Sequence, residues 1–154
     1  SEANCRQMVH RARERVQAGR PRFDVPRENH RRLLERFMQA ARRGAQPAIT
    51  ALLREDAQLV SDGRGTAVAV IRPLLGAVRI ARLFWAAYRR QDPAIDWRMG
   101  TVNGEPAILR YRDGVLAAVM VAVGRGERIS ELFTIANPDK LGTGVTAKDG
   151  GASW

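Results

Sequence analysis

Apolar residues near the start of the chain recur at the spacing of an amphipathic helix. They are Cys5, Met8, Val9, Ala12 and Val16. This pattern predicts a helix over residues 2–18, and the glycine and two prolines that come next predict an extended linker over residues 19–29. We therefore expect a boundary between two structural units in this linker.

Two further helical stripes and one short helix follow the linker. The second stripe, which ends at Gly44, contains Leu33, Leu34, Phe37, Met38 and Ala41. Pro47 is well placed as the first residue of a short helix through Leu53. The third stripe, in residues 76–90, is predicted to turn inward Ile80, Leu83, Phe84 and Ala87.

The pattern changes from helical to alternating after Ala94, with Ile95, Trp97 and Met99 on one side. Asn103-Gly104 and Asp113-Gly114 are residue pairs that favour tight hairpin turns. The strands around them predict an antiparallel meander, and two earlier strands are predicted over residues 58–62 and through Ile71. Helices followed by strands indicate an α+β fold, a curved antiparallel sheet covered by about three helices.

Composition narrows the functional classes. The 154 residues carry a net charge of +10, and residues 1–43 hold 12 Arg and 5 acidic groups, so the basic character lies mainly at the front and nucleic acid is the first partner expected. A single cysteine, Cys5, excludes an intrachain disulfide and a cysteine-based metal site, which favours a reducing cytoplasm. No apolar run approaches the length of a membrane span. No cofactor and no metal is predicted.

The order of elements and four phrases resemble a known family. The phrases are VSDGRGT, IRPLLGAVRIARLF, VNGEPAILRYRDG and IANPDKL. Over residues 30–141 the chain looks like the SnoaL-like (NTF2-like) domain at the end of SigJ-type extracytoplasmic-function sigma factors. The resemblance implies a cone-shaped α+β domain, preceded by one helix left from a helix-turn-helix and followed by a flexible tail over residues 142–154.

Two motifs carry the resemblance, and it implies that they form a regulatory contact surface. The family is similar in having an Asp-Gly-Gly-Gly-Lys-like loop, here Asp62, Gly63, Arg64, Gly65 and Thr66. Its second motif is complete here as Asn137, Pro138, Asp139, Lys140 and Leu141. The loop departs from the family pattern at two positions, because Arg64 replaces a glycine and Thr66 stands where a basic residue is usual.

Residues 1–18 resemble the recognition helix of the sigma-factor region that reads promoter DNA. Side chains near the start of such a helix reach base edges in the major groove, while later arginines hold phosphates. The resemblance therefore implies a DNA-reading set of Asn4, Arg6, Gln7, His10 and Arg11. The scaffold helix of this motif is not in residues 1–18, so we expect the helix to pack on the domain and to bind DNA poorly by itself.

The resemblance also implies a role without catalysis. In this family the appended domain controls the sigma factor in cis, as a separate anti-sigma protein does elsewhere, and the tail after the second motif helps to set activity. The implied partners are core RNA polymerase, promoter DNA for the full-length protein, and the sigma regions of the same polypeptide.

An alternative is a SnoaL-type pocket that acts as an enzyme or binds an unidentified small molecule. The residues that could supply polar groups to such a pocket are Asp62, Asp96, Arg110, Tyr111 and Glu131. No pair among them has the spacing of a catalytic arrangement. Trp97, Met99 and Phe133 are expected to be core residues, and Cys5, on the apolar stripe of its helix, is given no role.

Overall fold

The computed structural model describes residues 26–62, 73–136 and 145–147. In these ranges the helices are α1 (Arg27–Arg42), α2 (Gln46–Leu52) and α3 (Ala77–Arg89). Both longer helices follow the predicted stripes, and Pro47 lies in the first turn of α2. The helix predicted over residues 2–18 and the strand predicted through Ile71 lie outside the described residues.

A seven-stranded sheet forms the second layer of the described part. Its strands are β1 (Leu53–Asp62), β2 (Leu74–Leu75), β3 (Ile95–Val102), β4 (Glu105–Arg112), β5 (Val115–Arg125), β6 (Arg128–Ile135) and β7 (Val145–Ala147). Their spatial order is β2-β1-β6-β5-β4-β3-β7. The predicted meander is confirmed, since β3, β4, β5 and β6 are neighbours in chain order and pair antiparallel.

Both predicted hairpin turns are present. Asn103 and Gly104 have φ angles of 49° and 80°, and Asp113 and Gly114 have φ angles of 50° and 78°. Positive φ at both central residues is the backbone of the turn type whose twist matches that of the two flanking strands. These two turns fix the pairing of β3 with β4 and of β4 with β5.

The structure confirms the α+β class and corrects the prediction of an antiparallel sheet. Strands β1 and β6 pair in parallel, so the sheet is mixed. A helical segment returns the chain to the sheet before β1, whereas β6 is reached through hairpins, so the two strands enter the sheet with the same direction. The pairing joins strands about seventy residues apart, which local patterns cannot predict.

Several element boundaries also differ from the predictions. Helix α1 begins at Arg27, inside the predicted linker, and Leu53 belongs to β1 because its backbone is extended (φ −101°, ψ 146°). Ala87 is exposed, since the last turn of α3 extends past the core. In the predicted tail, Val145–Ala147 forms β7, because the outer edge of β3 offers unpaired backbone groups.

The helices cover one face of the sheet, and the main core lies between the two layers. Phe37 of α1 meets Phe84 of α3 edge to face at 5.1 Å between ring centroids, and Phe84 meets Trp97 of β3 at 6.1 Å. Full burial of one such side chain stabilises a fold by about 1.5–3 kcal/mol. Trp97 and Met99 pack against this core, as predicted.

Candidate functional site: the adjoining ends of β1 and β6

The two family motifs leave the sheet from neighbouring strand ends. In the parallel pairing Val60 lies opposite Phe133, Ser61 opposite Thr134 and Asp62 opposite Ile135. Asp62 is the first residue of one motif, and the other begins two residues after Ile135. Because parallel strands end at the same edge and neighbouring strands are about 4.8 Å apart, the two motifs start side by side.

Burial on both faces explains why β1 takes this interior position. Ala57 and Leu59 face the helices as part of the main core. Val60, on the opposite face, packs with Phe133 of β6. Strands that are buried on both sides are typical of parallel pairing inside a sheet.

The structure describes only the start of the predicted contact surface. Asp62 is placed through its backbone as the last residue of β1, and nothing is described of its side chain. Gly63, Arg64, Gly65 and Thr66 lie outside the described residues, as do Asn137, Pro138, Asp139, Lys140 and Leu141. The predicted DNA-reading residues Asn4, Arg6, Gln7, His10 and Arg11 also lie outside.

The residues considered for a pocket are divided between the two faces of the sheet. Arg110 alternates with Ile108 of the main core and therefore faces the helices. Tyr111 and Glu131 lie on the other face, where Tyr111 and the alternating neighbour Phe133 belong to strand clusters. Asp96 also lies there, since the adjacent Trp97 packs on the helix side. The structure therefore does not bring these residues together in one site.

Asp96 and Tyr111 belong to a small exposed cluster centred on Arg98. The Arg98 Nε donates to Asp96 Oδ2 at 2.7 Å, and the Arg98 guanidinium lies over the Tyr111 ring at 4.6 Å. The hydrogen bond from Arg98 to the Asp96 carboxylate raises the pKa of Arg98. A carboxylate held by a neighbouring arginine in water has the character of a surface ion pair and lacks that of a general base.

Arg110 is the one pocket candidate on the helix side. Burial lowers the pKa of its guanidinium, and the positive charge of Arg112 lowers it further. Its Nε is buried and has no hydrogen-bond partner among the described residues. Its cross-strand partner on β3 is Trp97, so the surroundings are apolar and offer Arg110 no adjacent group for acid–base chemistry.

His30 is a polar residue of the core that the sequence analysis placed at the domain edge. It lies on α1 with 3% of its surface exposed. Burial, and then the charge of Arg27, lower its pKa from 6.5 to about 4, so it is neutral near pH 7. The signal was present in the spacing, because His30 precedes Leu33, Leu34 and Phe37 by three, four and seven residues.

Two further classes of site were searched for in the described part of the chain. It contains no group of three or more His, Cys, Asp or Glu side chains that could hold a metal ion. None of its helices combines the length and the apolar character that crossing a bilayer requires.

Comparison with solved structures defines the class of the fold as NTF2-like. An NTF2-like protein from Burkholderia xenovorans LB400 superposes with a TM-score of 0.50 at 11% identity, covering 76% of this chain and 95% of that chain. At this identity the likeness concerns the fold alone. No protein-family model matches the sequence.

The homologues of this chain are extracytoplasmic-function (ECF) RNA polymerase sigma factors. The crystal structure of Mycobacterium tuberculosis SigJ is similar at 27% identity and a TM-score of 0.59, over 91% of this chain and 50% of that one. The probable ECF RNA polymerase sigma factor SigI of M. tuberculosis H37Rv is 25% identical over 139 residues, 90% of this chain and 46% of that protein. The chain thus spans about half the length of these relatives.

Proposed function

We propose that this chain is the C-terminal part of an alternative sigma factor and that its NTF2-like domain controls transcription initiation in cis. The carrying observation is the register of β1 and β6, which starts the two motifs at one sheet edge. Homology to ECF sigma factors over about nine tenths of the chain supports the sigma-factor role. The domain limits are residues 1–18 for the recognition helix, 19–29 for the linker, 30–141 for the regulatory domain and 142–154 for the tail.

The contact surface works through short polar side chains on a stiff backbone. Asp62 and Asp139 accept charge-assisted hydrogen bonds from arginines of the sigma regions or of RNA polymerase. Pro138 limits the backbone conformations of its motif. A weak contact suffices, because tethering in one polypeptide raises the effective concentration of the partner surface to roughly millimolar. Small changes in contact energy then shift the factor between two states.

The proposal assigns partners and location to the full-length protein. These are core RNA polymerase and, through Asn4, Arg6, Gln7, His10 and Arg11, promoter DNA, in the cytoplasm. The domain acts by binding and not by catalysis. This part of the proposal is supported by homologues that are sigma factors and by the separation of the pocket candidates on two faces.

Transcription in vitro with the full-length factor and core polymerase tests the proposal. The double variant Asp139→Ala, Lys140→Ala should change promoter-dependent transcript yield several-fold, and a chain that ends before Gly142 should also differ from the intact protein. A matched control is Lys148→Ala, Asp149→Ala, which removes one charge of each sign from a nearby stretch of the same chain and should leave the yield unchanged.

The outcome has two clear contrary forms. Equal yields from the intact protein, the Asp139/Lys140 variant and a chain that ends before Asn29 would show that the domain does not regulate the factor. A change of the same size in the Lys148/Asp149 control would assign the effect to general charge and not to the motif.

A further inference from the structure

The sheet face opposite the helices is buried, although no described helix lies on it. All buried helix residues in the described part belong to the main core on the other face. The clusters on this second face consist of strand residues alone. We call it the strand-only face, and its buried residues are Val60, Val102, Ala107, Leu109, Val119, Phe133 and Ile135.

The extent of burial on the strand-only face requires a cover. Leu109 and Val119 are 0% exposed and Ile135 is 2% exposed. A sheet face open to water leaves such side chains partly exposed, as are Tyr111 and Leu116 towards the hairpin end of the same face. The cover is therefore local and lies across the middle of the strands.

The buried residues form a stripe that crosses the strands. Arg98, Leu109, Val119, Ile135 and Asp62 are successive register partners on β3, β4, β5, β6 and β1. Four spacings between neighbouring strands make this row about 19 Å long. Phe133 and Val60 lie in the next row, so the stripe is broad enough to receive one helix.

We propose that the predicted helix over residues 2–18 docks across this stripe through its apolar side. The helix residues from Cys5 to Val16 extend over about 17 Å at 1.5 Å per residue, close to the length of the stripe. The strand-only face carries the carboxylates of Glu105 and Glu131 beside the stripe. Acidic groups there complement the arginines on the polar side of the helix, among them Arg6, Arg11 and Arg13.

The entry point of the chain makes this docking reachable. Helix α1 begins at Arg27, whose guanidinium lies beside the turn between β3 and β4 at Gly104. That turn is at the rim shared by both faces of the sheet. The seven residues 19–25 span up to about 24 Å when extended, which exceeds the roughly 10 Å between packed layers.

Docking has a regulatory consequence, which alone rests on the proposed function. In a helix-turn-helix the apolar side of the recognition helix packs on its scaffold helix. The strand-only face would bind that same side, so docking on the domain and assembly of the promoter-reading unit exclude each other. The NTF2-like domain would thereby hold the DNA-reading helix in an inactive position.

Cross-linking from the single native cysteine tests the docking without polymerase or DNA. Cys5 lies on the apolar stripe of the helix. Val121→Cys introduces a partner in the middle of the strand-only face, at a half-buried position opposite Phe133. Val78→Cys is the matched control, because Val78 is 55% exposed on α3 on the other side of the sheet.

A short bismaleimide added to the dilute full chain should link Cys5 to the second thiol within one molecule, at least about tenfold faster in the Val121→Cys variant than in the Val78→Cys variant. Met8→Asp, which places a carboxylate on the apolar stripe, should remove this preference, whereas Arg13→Gln on the polar side should keep it. Equal rates in the two cysteine variants, or links only between two molecules, would overturn the docking. Either result would leave the transcription test of the proposed function unaffected.

Discussion

Both faces of the sheet bury apolar side chains, but they differ in how they are covered. On one face α1, α2 and α3 supply the partners, and rings such as Phe37 and Phe84 meet at a defined angle. On the other face the buried residues come from strands alone, and their cover comes from the predicted helix in our proposal. The difference separates a face that maintains the fold from a face that could gain or lose its cover.

The largest effect is expected from the helix-covered face. Phe37→Ala removes a fully buried ring in contact with Phe84 and should lower the free energy of unfolding by about 3–5 kcal/mol. Denaturant unfolding measures this change. Val78→Ala, at an exposed position of α3, should stay within about 0.5 kcal/mol of the unmodified chain. A loss below about 1 kcal/mol for Phe37→Ala would contradict this packing.

On the strand-only face the effect should depend on the cover. Leu109→Ala should lower the free energy of unfolding by about 2–5 kcal/mol in the otherwise unmodified chain. Combined with Met8→Asp the two losses should deviate from additivity by about 0.5–3 kcal/mol, since part of the contact is already lost. Phe37→Ala should add to Met8→Asp within about 0.5 kcal/mol. Additivity at both faces would mean that the Met8 side of the helix does not cover Leu109.

His30 should make stability depend on pH on the helix-covered face. Its pKa is about 4 in the folded chain and 6.5 as the ordinary value, so between these values the unfolded chain binds a proton that the folded chain does not. The free energy of unfolding should therefore fall as the pH is lowered through this window, by about 3 kcal/mol in total. His30→Gln should remove this contribution in denaturant unfolding at several pH values. His10→Gln, the control at the only other histidine, should retain it.

The smallest effect is expected at the exposed cluster around Arg98. Arg98→Ala removes its bond to Asp96 and its contact with Tyr111, but these groups lie in water, where such pairs add little. The midpoint of denaturant unfolding should not shift measurably, and Arg98→Lys should behave in the same way. A clear loss in Arg98→Ala alone would mean that the ring contact and not the charge holds this edge of the strand-only face.

Local patterns predicted much of the architecture. The stripe from Leu33 to Ala41 and the alternation after Ala94 became α1 and the meander, and Asn103-Gly104 and Asp113-Gly114 turn the chain as expected. Such features depend on residues close in sequence, so their physics is visible in a short window. The burial of His30 was missed because a histidine in a helical stripe reads as polar when its surroundings are unknown.

The candidate site shows the opposite case. Both motifs were recognised as phrases, but nothing local indicated that Asp62 and Ile135 would be register partners. Pairing between distant strands depends on how the whole sheet closes around its core. For the same reason, the sequence did not reveal that Arg110 and Tyr111, adjacent in β4, would take part in different faces, since this requires knowing which side the helices cover.

The sequence by itself determined the helical and alternating segments, the tight turns, the basic front and the two motifs, because these follow from side-chain chemistry and short-range geometry. The tertiary structure alone decided that β1 runs parallel to β6, that the motifs begin at one sheet edge, and that two buried faces have different covers. These properties arise from contacts between distant residues, whose free energy depends on the packing of the whole domain.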